Sequence, residues 1–169
     1  SGEDDIVRRD YGQQAIVATV QTREPPAGIA YERFTADGPV ALLPLGDRYA
    51  LVWTVPDAES AGLLALDERA FLSRLHDIFS GRLDFTAISD RTAFPLGLRY
   101  RKTPVAERER AVWLGNAAQT LHPAAGQGFN LALRDVSQLV RLLQQGPADC
   151  GSAALLARHA AARQLDRRG

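Results

Sequence analysis

One segment constrains this chain more than any other. It runs Trp113-Leu114-Gly115-Asn116-Ala117-Ala118-Gln119-Thr120-Leu121-His122-Pro123-Ala124-Ala125-Gly126-Gln127-Gly128-Phe129-Asn130-Leu131 and on to Val136. Residues 111–114 (AVWL) form a compact apolar run that suits a buried strand. A loop rich in small residues follows at 115–127, and a helix is predicted from about 128 to 143, opening on glycines. Small residues let a bulky ligand approach the backbone. The unpaired N–H groups and the positive dipole end of a helix start favour negative charge. On chemistry alone the segment is a candidate anion or cofactor cradle, although tight turns also call for glycines at such places.

Upstream the chain reads mainly as strands. Residues 15–20 (AIVATV) suit a well-buried strand, and 29–34 (IAYERF) alternate more clearly. Ala36-Asp37-Gly38-Pro39 and Gly46-Asp47 are turn signals that flank a short strand at 40–44, and 49–55 (YALVWTV) is a strand again. Strand, short turn, strand predicts an antiparallel meander. Asp67 is placed as a helix N-cap, with Ala70, Phe71, Leu72, Leu75, Ile78 and Phe79 at helical spacing and Gly81 as the stop. Strands are expected at 83–88 and 93–100, with Arg91, Arg99 and Arg101 facing outward from the second. In the helix at 128–143, Leu131, Leu133, Val136, Leu139, Val140 and Leu143 form the apolar face. Gly146-Pro147 ends it, and a last helix is expected at about 151–164.

Composition narrows the function classes. Twenty basic residues balance twenty acidic ones, which removes the footprint of a general nucleic-acid binder. Lys102 is the only lysine. The single cysteine, Cys150, excludes an internal disulfide and a cysteine-based zinc site, and three scattered histidines argue against a metal centre. Gly-x-Ser-x-Gly is absent, so no serine-hydrolase site can be defended. With no methionine and a polar opening, Ser1-Gly2-Glu3-Asp4-Asp5, the chain is expected to be a piece of a longer protein.

The long segment resembles the second flavin-binding motif of the group that includes para-hydroxybenzoate hydroxylase and the ubiquinone-pathway hydroxylases. Most of that group opens with Gly-Asp-Ala-Ala-His, whereas this sequence has Gly115-Asn116-Ala117-Ala118-Gln119. That variant is similar to the branch called 2-polyprenyl-6-methoxyphenol hydroxylase. The likeness continues through Thr120-Leu121-His122-Pro123 and Gly126–Leu131 in one direction. In the other it takes in Asp10-Tyr11-Gly12-Gln13-Gln14-Ala15, Tyr31-Glu32-Arg33-Phe34-Thr35, residues 38–45 and Phe94-Pro95-Leu96.

The resemblance implies roles for particular residues. Asn116 stands where the family's acidic residue bonds a ribityl hydroxyl of FAD; its amide still donates and accepts, but without charge. Gly126, Gln127, Gly128, Phe129 and Asn130 match the stretch whose backbone N–H groups face the pyrimidine edge of the flavin ring. A helix start stabilises negative charge there without a lysine. Pro123 stands either beside the substrate ring or as a loop stiffener. His122 reads as a loop residue rather than a general base, and no catalytic residue is assigned. Arg134 and Asp135 are expected to pair with each other or to bond neighbouring loops.

The fold implied is α+β: an antiparallel substrate-domain sheet with one helix at 1–106, then the C-terminal strand and helices of an incomplete, Rossmann-like FAD-binding domain at 107–169. The strand at 111–114 would leave an edge that invites self-association. Gly-x-Gly-x-x-Gly after a strand is absent, so the adenosine end of FAD has no site in this chain. The activity implied is hydroxylation of a polyprenylated methoxyphenol in ubiquinone biosynthesis, using FAD, NAD(P)H and O2, by a cytoplasmic protein that meets the inner membrane face or a biosynthetic complex. The isolated chain is expected to be inactive. Alternatives are a non-catalytic binding or assembly module, and another flavoprotein of the same fold; a halogenase is disfavoured because it is expected to carry a lysine near the flavin.

Overall fold

The computed structural model describes residues 5–106, 108, 110–121, 127–164 and 166, and divides into two compact units. One is Gly12–Leu96; the other joins Ser1–Tyr11 to Gly97–Gly169. Two long strands pass through both: β1 (Ile6–Thr22) and β6 (Thr92–Arg101). Within β1, Gly12 takes φ +63°, a left-handed conformation that glycine adopts without steric cost.

The unit Gly12–Leu96 is the predicted meander. Strands β2 (Tyr31–Thr35), β3 (Gly38–Leu45) and β4 (Arg48–Pro56) pair antiparallel in sequence order, and β4 then pairs with β1 from Gln13↔Pro56 to Val20↔Tyr49. Strand β5 (Phe85–Ile88) pairs antiparallel with the end of β1. Alternation along these strands sends Ile16, Val20, Leu42, Leu51, Trp53 and Val55 into one core. Helix α2 (Glu68–Ile78) closes it with Phe71 and Leu75, and the Phe71 ring meets Trp53 edge-on at 5.3 Å. Asp67 caps α2 as expected, accepting from the Ala70 N–H at 2.7 Å.

The helix stop needs a correction. Gly81 donates to the His76 carbonyl and Ser80 to that of Asp77, the pattern of a Schellman end, so the first left-handed residue is Ser80 at φ +53°, with Gly81 following at +69°. Helix α1 (Asp57–Ala65) was not expected at all. It buries only Ser60 and Leu63, so its sequence carries no apolar stripe to read; Pro56 at its start and Asp57 and Glu59 in its first turn are the signals it does offer. Arg91 does not face outward either. Its guanidinium lies 4.9 Å from the Phe71 ring centre and donates to the Leu66 carbonyl at 2.7 Å.

In the other unit β6 pairs with the two-residue β9 (Gln119–Thr120), setting Arg99 opposite Thr120 and Tyr100 opposite Gln119. The expected strand at 111–114 is shorter: β8 (Ala111–Val112) pairs antiparallel with β7 (Val105–Ala106) in a small hairpin. Its edge is therefore partly satisfied within the chain. Arg101 is half-buried, with its guanidinium 4.2 Å over the Trp113 ring, while Arg99 is exposed as predicted. Helix α3 (Gly128–Gln144) and helix α4 (Ala153–Ala162) complete the unit.

Candidate functional site

The site is built on a single 3-10 turn, Gly115–Ala117, that leaves the strand region and runs into β9. Gly115 sits at φ +52°, and a Cβ there would stand 3.2 Å from the Ala132 Cβ on α3. Both constraints call for glycine. The Gly115 N–H donates to Asp135 Oδ2 at 3.2 Å, so the turn is tied to the second turn of α3. Asn116, next in the turn, is exposed.

Asp135 is the hub beneath this turn. It is 3% exposed, and its Oδ1 accepts from Arg163 Nε at 2.7 Å. Arg163 also donates to Asp166 and, at 3.4 Å, to the Leu131 carbonyl. Burial works against the Arg163 charge, but its bonds to Asp135 and Asp166 outweigh that and raise its pKa; Asp166 is held below the ordinary carboxylate range chiefly by its bond to Arg163. Arg134 reaches Asp166 at 3.5 Å. Of the two arrangements open for Arg134 and Asp135, the structure shows bonds outward to neighbouring segments. Arg163 and Asp166 were missed in the sequence. The available signal was Asp135 itself, an acid on the inner side of a helix, which needs a cationic partner when buried.

Helix α3 starts at Gln127 with no side chain capping it and no acid in its first turn. Gln127, Gly128, Phe129 and Asn130 are exposed, and a Cβ on Gly128 would meet nothing within 4 Å. Among the described residues no side chain caps the first turn of this 17-residue helix, which suits the cradle reading. Gly126, Pro123 and His122 lie outside the described residues. His76 is exposed on α2 and His159 is buried on α4.

The apolar face predicted for α3 is partly displaced. Leu131 and Leu142 are buried, but Leu133, Val136, Val140 and Leu143 are exposed, and Phe129 is 73% exposed. The edge turned to the 3-10 turn and α4 is the one that carries Asp135, so the hydrophobic stripe and the buried stripe differ in phase.

Residues 2–166 match the family model described as FAD binding domain. The chain belongs to that family. FAD is the family's ligand, and a helix start that no described side chain caps, with the exposed amide of Asn116, offers hydrogen-bond donors of the kind such a cofactor takes. The chain is 40% identical over 161 residues to ubiquinone hydroxylase UbiL of Rhodospirillum rubrum, covering 92% of this chain and 37% of that protein. It is 35% identical over 134 residues to 3-demethoxyubiquinol 3-hydroxylase of Escherichia coli K12, covering 79% of this chain and 34% of that protein. The chain therefore spans little more than a third of the length of these relatives. Among solved structures it resembles PqsL, a probable FAD-dependent monooxygenase from Pseudomonas aeruginosa, with a TM-score of 0.70 at 25% identity over 94% of this chain and 47% of that one. The flavin-dependent halogenase CmlS shares the fold, with a TM-score of 0.69 at 19% identity over 94% of this chain and 31% of its own. The expected α+β class and the family resemblance both hold. Among the described residues no helix is long and apolar enough to cross a membrane.

Proposed function

We propose that this chain supplies part of the substrate-domain wall and the flavin-ring cradle of an FAD-dependent monooxygenase that hydroxylates a polyprenylated methoxyphenol in ubiquinone biosynthesis. Residues 1–106 belong to the wall and 107–169 to the cradle. The observation that carries this reading is the Gly115–Ala117 turn tied through Asp135 to α3, a helix whose first turn no described side chain caps. The printed names of the relatives point to the substrate class.

FAD, when bound, supplies the oxygen chemistry, with NAD(P)H as reductant. The chain's own part is positioning and electrostatics. Backbone N–H groups of the stretch Gly126–Asn130 would hold the flavin ring and stabilise negative charge on it. The Asn116 amide would bond a ribityl hydroxyl, and Pro123 would border the substrate ring. A greasy substrate brings the protein to the inner membrane face or to a biosynthetic complex on the cytoplasmic side. By itself the chain does not hydroxylate, and the apolar edge of α3 gives it a surface for self-association.

A chimera tests this. The matching segment of the Rhodospirillum rubrum hydroxylase is replaced by this chain, and ubiquinone is measured in cells lacking the native enzyme. Restored ubiquinone is expected. A chimera that folds and holds FAD but restores none sinks the substrate assignment while sparing the cofactor assignment.

A further inference from the structure

Within the unit that contains residues 97–169 lies a cavity of about 720 Å³, within the ~300–1,000 Å³ range of ligand pockets. Its floor is one face of the β6–β9 pair. Leu98, Tyr100 and Lys102 alternate onto that face from the β6 side, and Gln119 and Leu121 from the β9 side. Tyr100 stands opposite Gln119, and the same register sets Leu98 toward Leu121. The floor therefore grades along its length from two leucines, through a tyrosine and an amide, to the only lysine of the chain. Leu98 to Lys102 spans about 13 Å of extended strand. Ala160 and Ala161 of α4 form part of the facing wall, and their small side chains leave the space open.

No acidic side chain lines the cavity among the described residues. Gln119 is 8% exposed, and its Nε2 has no hydrogen-bond partner among the described residues. A buried amide donor left unmet is costly, and rotation about its last, soft torsion turns it toward an acceptor in the cavity. Finally, the rest of the lining joins Pro104 and the α4 alanines to the polar Arg101, Thr103 and Gln164, and Arg101 adds a second cation at the end where Lys102 stands.

We propose that this cavity binds a medium-chain fatty carboxylate. The aliphatic tail lies along Leu98, Leu121 and the α4 alanines. The carboxylate accepts from the amide of Gln119 and is attracted by the Lys102 ammonium. Gln119 lies three residues past Asn116, so the cavity adjoins that turn, but the binding proposed here does not rest on the hydroxylase reading.

The test is calorimetric titration of the chain with octanoate below its micelle concentration, beside octylamine and anionic phospholipid vesicles. Saturable binding of octanoate, with none of octylamine, is expected. Lys102→Gln and Gln119→Leu should each weaken it by roughly tenfold, the scale of one hydrogen bond to a charged group. Ala160→Leu, which fills the cavity, should abolish it; if that variant melts early, Ala161→Leu at the cavity rim serves in its place. Equal binding of octylamine, binding to vesicles alone, or full affinity in a well-folded filled variant overturns the proposal.

Discussion

Asp135 Oδ1 lies 2.7 Å from Arg163 Nε with both residues buried, and the second oxygen of the same carboxylate holds the Gly115 N–H. One side chain thus joins α3, the residue just past α4 and the turn that presents Asn116. Removing it as Asp135→Ala leaves a buried guanidinium with Asp166 as its remaining carboxylate. The expected loss is about 3 kcal/mol, the low end for breaking a buried ion pair. Urea unfolding would show it, and an unchanged midpoint would mean the pair is not the anchor of this unit.

Gly115 combines a left-handed backbone with a close approach to Ala132. Gly115→Ala should cost about 2 kcal/mol, part backbone strain and part contact. Adding Ala132→Gly should restore only the contact part. Thermal melts of the three variants separate the two contributions, and complete recovery in the double variant would show that the conformation itself costs nothing.

The Arg110–Asp149 ion pair links the turn beside β8 to the segment before α4, and Asp149 also accepts from the Gly151 N–H at 2.9 Å. These bonds, led by the one from Arg110, hold the Asp149 pKa below its ordinary value. A lowered folded pKa adds stability above the unfolded pKa of about 3.9 and loses it as pH falls through the folded value. Wild type should therefore melt above Asp149→Asn at pH 6, and the gap should close as pH drops below about 4. A gap that persists at pH 2 contradicts the assignment. Both side chains are well exposed, so the gap should also shrink in high salt.

Phe129, Leu133, Val136, Val140 and Leu143 follow the spacing of a helix–helix seam, and all are exposed. Light scattering should find concentration-dependent association, and Val136→Glu with Val140→Glu should return the chain to monomer. A wild-type monomer at every concentration would remove self-association from the account.

How much of this was legible in the sequence differs by element. Strand β4 and helix α2 were readable because one alternates into a core and the other couples a capping aspartate to a clean apolar stripe. Helix α1 was not, since its buried residues are only Ser60 and Leu63. The β7–β8 hairpin pairs two residues with two, too short for any periodicity to register. On α3 the hydrophobic pattern was plain, yet it marks a surface, because a buried edge in this unit is organised by Asp135 and Arg163. The site was legible as a strand, loop and helix start; its support was not, because Arg163 lies far along the chain and belongs to no local motif.

The most direct test is a fluorescence titration of this chain with riboflavin and, in parallel, with FAD. The account places only the flavin-ring and ribityl end here, so both should bind weakly and with equal affinity. Asn116→Ala should weaken both by roughly fivefold, the scale of one hydrogen bond. FAD binding far tighter than riboflavin, or indifference of both to Asn116→Ala, would contradict it.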